Sequence, residues 1–463
     1  MTSDERRPDY QAARDAFITA AFWHGSVDGA NAVLAAHPEV ASTDVHTAAM
    51  LGDDLAVRRF LAADATQATA RSGPRNVDAL THLCFSAYLA HDRSRSEAFV
   101  RAATALLDAG ASASTGFFDE THRPTPEWES ALYGAAGVAF HAGLTRLLLE
   151  RGADPNDGEV PYHSPESPDD NEAFRILLDS GRLNAESLNV MLLRKTDWHD
   201  YDGVKLVLEH GADVNRMSRF GKTALHNAVL SDNSLAIIDL LLDHGGDPTI
   251  VANDLRHGGD FRVGRSVVAL AARRGRGDVL ASIERRGMPL DLTGVDALIA
   301  ACARGDVDGA KAIATREPML VDELVLDGGT LLAEFAGTNN PAGVALLLDL
   351  GVPVDALYQG DPYMGIAKRS TALHVAAWRA WPDVVDLLLA RGASVNVSDE
   401  KGRTPLVLAV KACVDSYWMY RRSPRSVKAL LAAGAAATGI SLPTGYDAVD
   451  QLLTGRTSPS DNR

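Results

Sequence analysis

One motif recurs along this chain, and it rules out a single closed core. A short alanine-rich segment, a tight turn and an apolar segment rich in leucine close on a glycine. Thr371–Asn396 reads TALHVAAWRAWPDVVDLLLARGASVN. TALHNAV at 223–229 precedes DLLLDHGGDP, and ALYGAA at 131–136 precedes RLLLERGADPN. KLVLEHGADVN starts at 205, ALLDAGA at 105 and VALLLDLGV at 344; TPLVLAV at 404–410 is followed after a break by KALLAAGA. Weaker copies begin at 16, 46, 267, 296 and 330. The closing glycine stands at 110, 152, 181, 211, 245, 287, 351, 392 and 434. Several of these spacings fit a unit of about 33 residues; the longer ones require insertions.

Each feature of the unit has a physical job. Alanine and leucine favour helix, and alanines in the first segment let two helix layers approach closely. The glycine tolerates the positive φ that ends a helix. The threonine before the first segment can accept from free N–H groups at a helix start. A single copy cannot bury its own apolar face, so copies must stack. With 463 residues, an array is also the simplest alternative to several separate cores.

The formal net charge of -16 repels phosphate backbones, so nucleic acid is not expected as a partner. Cys84, Cys302 and Cys413 are too few and too far apart for a disulfide framework or a zinc site; they are expected to be buried small hydrophobes. The N-terminal MTSDERRPDYQAARDAF has no apolar signal core, and no run reaches membrane-spanning length. A cytoplasmic protein is expected. The heavy use of alanine and arginine, with little lysine, suggests a bacterial origin.

The T-A/P-L-H and G-A-D-x-N elements resemble those of ankyrin repeats. The resemblance extends over residues 12–454. It is degenerate at 12–66 and 264–350 and broken by insertions at 112–130, 155–171, 352–370 and 413–424, with residues 1–11 and 455–463 read as flexible ends. It implies an all-α solenoid of stacked helix pairs, roughly ten to twelve, joined by short β-hairpin-like loops. It also implies that Thr371 with His374, and Thr223 with His226, are structural: the histidine ties the start of the first helix to nearby backbone. For function it implies a scaffold or adaptor that meets another protein, of unknown identity, through the concave face.

In such repeats the slots just before the turn are free to choose a partner. Here they hold Trp23 and His24, Met50 and Leu51, Asp197 and Trp198, Arg273 and Arg274, Ala303 and Arg304, and Trp378 and Arg379. Trp381 lies just past one turn. Tryptophan and arginine are common anchors of binding hot spots; each ring can equally cap the edge of the core. Among the insertions, Ser112–Ser130 reads as an extended finger and 155–171 as a solvated acidic loop. The stretch CVDSYWMYRRSP at 413–424 carries Tyr417, Trp418, Tyr420, Arg421 and Arg422, the densest aromatic–basic cluster of the chain. It reads either as a cap on the array or as a binding surface.

No phosphate loop, dinucleotide fingerprint or G-x-S-x-G elbow occurs. The polar knot WHDYDG at 198–203 reads as a surface turn rather than a metal site. Catalytic residues, metals and cofactors are therefore not expected, nor is a membrane. A groove pocket walled by the inserted loops, binding a small ligand or running a reaction, is the alternative. Self-association is a further option.

Overall fold

The computed structural model describes residues 6–167, 171–253 and 264–455. The chain divides into two compact units, Met1–Ala228 and Val229–Arg463. Each is a stack of helix pairs, with the unit boundary inside the helix Ala224–Leu230. The first described helix starts at Arg6, so residues 6–11 are helical rather than a loose end; most of the segment 455–463 lies outside the described residues.

The two helices of a pair bury different fractions of their surface. In the first unit, every residue of the short helix Ala79–Cys84 is buried, because it lies between two layers. The longer second helix Ser96–Asp108 buries Phe99, Ala102, Ala103, Leu106 and Leu107. That spacing of three and four is one face of a helix whose other side is solvated. The same contrast holds in the second unit between Ala372–Trp378, buried from Ala372 to Ala377, and Pro382–Ala390, which buries only Val384, Val385 and Leu388.

All nine closing glycines have positive φ. At Gly392 (φ +85) a side chain would meet no atom within 4 Å; backbone conformation, not space, selects glycine there. The N–H groups of Gly392 and Ala393 donate to the carbonyls of Leu389 and Leu388, closing the helix as such caps do. The loops between pairs fold on local polar side chains. Asp399, for example, accepts from the N–H groups of Lys401 and Arg403.

The insertion at 112–130 forms a hairpin, β1 Gly116–Asp119 paired antiparallel with β2 Glu127–Ser130, with Phe117 opposite Glu129. The insertion at 155–171 is not a solvated loop in its described part. Glu159–His163 is a helix followed by a 3-10 turn at Ser164–Glu166, with Val160, Pro161, Ser164 and Pro165 buried. It serves as the first helix of a pair whose second is Glu172–Asp179; the proline-rich acidic composition masked its four inward positions. In the second unit, residues 352–370 fold back through the bridges Tyr358–Ser370 and Asp361–Ile366. Tyr358 and Ile366 join Ala333 and Val375 in one apolar cluster. Among the described residues no helix is long and apolar enough to cross a membrane.

Candidate functional site

His374 is buried at the start of Ala372–Trp378. The N–H of Thr371 donates to its Nδ1 at 3.1 Å, and the threonine hydroxyl lies 2.9 Å from the same nitrogen. Nδ1 is therefore an acceptor, the proton is on Nε2, and Nε2 donates to the carbonyl of Arg403 at 3.1 Å. Burial pushes the imidazole pKa down and keeps it neutral. Both nitrogens are spent on backbone and cap, which ties one repeat to the next loop. His226 meets Thr223 in the same way: hydroxyl and Nδ1 are 2.7 Å apart.

The residues just after His374 stand differently from the expectation for partner-selecting slots. Arg379 is 3% exposed and its Nη2 is ion-paired with Asp232. Arg274, also buried, reaches Asp232 with Nη2 at 2.6 Å and Glu334 with Nη1 at 2.6 Å. Tyr358 donates its hydroxyl to Glu334 at 2.9 Å. Arg273 is buried and shared between Asp296 and Asp327, both at 2.7 Å. Expected as partner anchors, Arg273, Arg274 and Arg379 are committed inside the chain. The helix ends that carry them face acidic side chains of neighbouring repeats, and a buried guanidinium is held only where it is paired. Burial alone would favour the neutral acid at Asp232, but the Arg274 and Arg379 charges outweigh it and hold the carboxyl well below its usual range.

The 413–424 insertion covers this network. Its 3-10 turn Tyr417–Arg421 buries Trp418, whose ring lies 4.2 Å from the Arg379 guanidinium. Arg421 is held 3.7 Å from the Trp381 ring and 4.5 Å from that of Trp418, and its Nη2 donates to the carbonyl of Arg379 at 2.7 Å. Burial lowers its pKa to about 10. Of the two readings of this insertion, Trp418 and Arg421 take that of the cap, and Trp418, expected also as a partner anchor, is buried. Trp378, half-buried, donates Nε1–H to the carbonyl of Met364 at 2.8 Å. Tyr417 and Tyr420 are left 57% and 71% exposed.

In the first unit, Trp198 is 48% exposed beside the exposed Tyr201. Trp23 is half-buried. Its ring stacks on His24 at 4.5 Å and meets Phe85, Phe117 and Tyr133 edge-on. The knot at 198–203 is engaged: Asp200 accepts from the Gly203 N–H, from Lys195 Nζ and from Asn171. Ser96 and His141 have the spacing of a nucleophile and base, 2.7 Å between Oγ and Nε2. However, Nδ1 of His141 accepts from the Leu144 N–H. The proton therefore sits on Nε2 and is donated to the serine, the reverse of what activation needs. Cys84, Cys302 and Cys413 are buried free thiols, and burial raises the pKa of each.

Two groups escaped sequence reasoning. Asp232, Glu334 and Tyr358 come from three separate repeats, and no spacing announces their meeting. Glu129, Glu159, His163 and Glu166 meet through the hairpin and the misread helix 159–163. His163 bridges Glu159 and Glu166 at 3.1 and 3.0 Å. Burial opposes its charge, but those two carboxylates raise its pKa to about 9.

The family description "Ankyrin repeats (3 copies)" matches residues 332–438, and "Ankyrin repeats (many copies)" matches residues 192–242. A serine/threonine-protein kinase 12 of Arabidopsis thaliana is 35% identical over 99 residues, 21% of this chain and 20% of that protein. A putative ankyrin repeat protein of Rickettsia bellii is 31% identical over 126 residues, 26% of this chain and 49% of its own. Protein PhlB of Serratia liquefaciens is 38% identical over 119 residues, covering 25% and 47%. The chain thus spans half or less of these relatives. Among solved structures, the ankyrin repeat domain of human ASB11 is 20% identical, covering 67% of this chain and all of that one at a TM-score of 0.24. The relatives span plants and bacteria. The matched segments, 192–242 and 332–438, are ankyrin repeats.

Proposed function

We propose that the chain is a protein-recognition module, a scaffold or adaptor, which meets its partner on the concave side of the second unit. Ankyrin repeats in general bind other proteins. The observation that carries the reading is the pair Tyr417 and Tyr420, exposed on a turn whose intervening Trp418 and following Arg421 are locked down. Rings presented on a rigid support lose little entropy on binding, and large aromatics dominate interface energetics. Met419 and Tyr363 are exposed as well. In the first unit, Trp198 with Tyr201 is a second candidate contact. The buried arginines shape the surface from beneath. The three buried free thiols support the cytoplasm as the compartment.

The test is capture from cell extract by the full chain and by Tyr417→Ala/Tyr420→Ala. A partner retained by the parent and lost from the double variant, at an unchanged melting temperature, supports the reading. Equal retention by both removes this surface from the interface.

A further inference from the structure

Elsewhere in the first unit, one acidic side chain is buried with no partner. Glu129 is 4% exposed; its Oε2 is sealed from solvent and accepts no hydrogen bond. It is opposite Phe117 on β1 and four residues before Tyr133. The nearby carboxylates are provided for. Glu159 and Glu166 flank His163, Glu166 and Asp197 share Arg194, both at 2.6 Å, and Glu127 lies 3.1 Å from His122. Two cations, His163 and Arg194, therefore serve Glu159, Glu166 and Asp197, and among the described residues no ion pair or hydrogen bond reaches Glu129 Oε2. The chain as a whole is acidic, which steers basic partners toward it.

We propose that Glu129 receives a cationic side chain, an arginine or lysine of a protein partner, beside Tyr133 and Phe117. A buried carboxylate needs both charge and donors. A proton supplies charge but leaves the oxygens without donors from outside, whereas a guanidinium or ammonium supplies both. Aromatic neighbours suit a cation once water is displaced. Glu127, Glu159 and Glu166 are each partly exposed, and Glu159 and Glu127 add negative charge at Glu129. The electrostatics agree. Burial, with Glu159, Asp119 and Glu127 adding and His163 opposing, raises the Glu129 pKa to about 8. Near neutrality the empty site holds a proton, which an arriving cation displaces.

This inference rests on the proposed protein recognition only for the source of the cation. Its test leaves the tyrosines of the second unit untouched, so each reading can fail alone. The probes are the peptide acetyl-Gly-Gly-Arg-Gly-Gly-amide, its lysine and citrulline counterparts, and agmatine, titrated calorimetrically into the full chain. The arginine or lysine peptide is expected to bind at least about tenfold more tightly than the citrulline peptide. Glu129→Gln should lose about tenfold or more while folding at least as stably. Roughly one proton should be released per bound peptide near pH 7, with tighter binding near pH 9 than near pH 6. The proton count needs no variant, so it serves if Glu129→Gln does not fold. No binding of either cationic peptide, unchanged binding by Glu129→Gln, or binding without proton release would overturn the proposal. Agmatine binding more tightly than both peptides would overturn the assignment to a protein side chain.

Discussion

The two units each hold an aromatic–basic cluster, and the two are built inside out relative to each other. In the first unit the rings are the interior. Phe22, Trp23, Phe85, Phe117 and Tyr133 touch one another, and the exposed Arg75 lies over three of them from outside. In the second unit the guanidiniums are the interior. Arg274 and Arg379 converge on Asp232, and Trp381 and Trp418 sandwich Arg421 above them. The same residue types thus carry opposite energetic weights. An arginine over rings at a surface contributes a modest cation–π attraction. An arginine under rings creates a charge that must be matched.

The contrast can be broken most directly at Asp232. Asp232→Ala leaves the buried Arg379 without its carboxylate and Arg274 with Glu334 alone, and should destabilise the second unit by about 3–5 kcal/mol, read by urea denaturation. A loss below about 1 kcal/mol would mean that water already screens the pair. Next in size is pH dependence, where the two clusters should respond with opposite sign. Asp232, with its folded pKa depressed, contributes stability above the unfolded carboxylate range that is lost as pH falls. Glu129, with its folded pKa raised to about 8, binds a proton more readily folded than unfolded. Stability should therefore fall as pH rises from about 4.5 through about 8, by more than the roughly 1.4 kcal/mol that one pKa unit is worth. Melting curves across that window should show the decline in the parent and its reduction in Glu129→Gln.

His374→Ala removes the hydrogen bonds of a neutral scaffold histidine to Thr371 and to the Arg403 carbonyl and should cost about 1–2 kcal/mol. Partner capture at a temperature where the variant is folded should be unchanged; a lost interaction there would make His374 a contact residue. The smallest effect is expected at Arg75→Ala, about 0.5–1 kcal/mol. A loss as large as that of Asp232→Ala would erase the distinction between the clusters.

Much of the repeat architecture was legible. The nine glycines fall at positive φ because helix closure is a local event, dictated within a few residues. The contacts of Thr371 with His374 and of Thr223 with His226 are local in the same sense, three residues apart, whereas the bond from His374 to the Arg403 carbonyl spans 29 residues. The helix at 159–163 was hidden because a five-residue helix has too few positions to show a period, and its Pro161 and acids read as loop.

The slot residues show where local reading ends. That Arg273, Arg274 and Arg379 lie at helix ends followed from the repeat. Whether they face a partner or the chain's own carboxylates depended on what stands opposite, 42 to 147 residues away in sequence for the contacts with Asp232. Sequence alone determined the repeating unit, its caps and its inward apolar face, since these arise from backbone geometry and nearest neighbours. Tertiary structure alone decided which charges are spent inside, at Asp232 and Glu334, and which one is left over, at Glu129. Burial and pairing are properties of three-dimensional surroundings, and the cost of an unpaired charge exists only once water has been excluded.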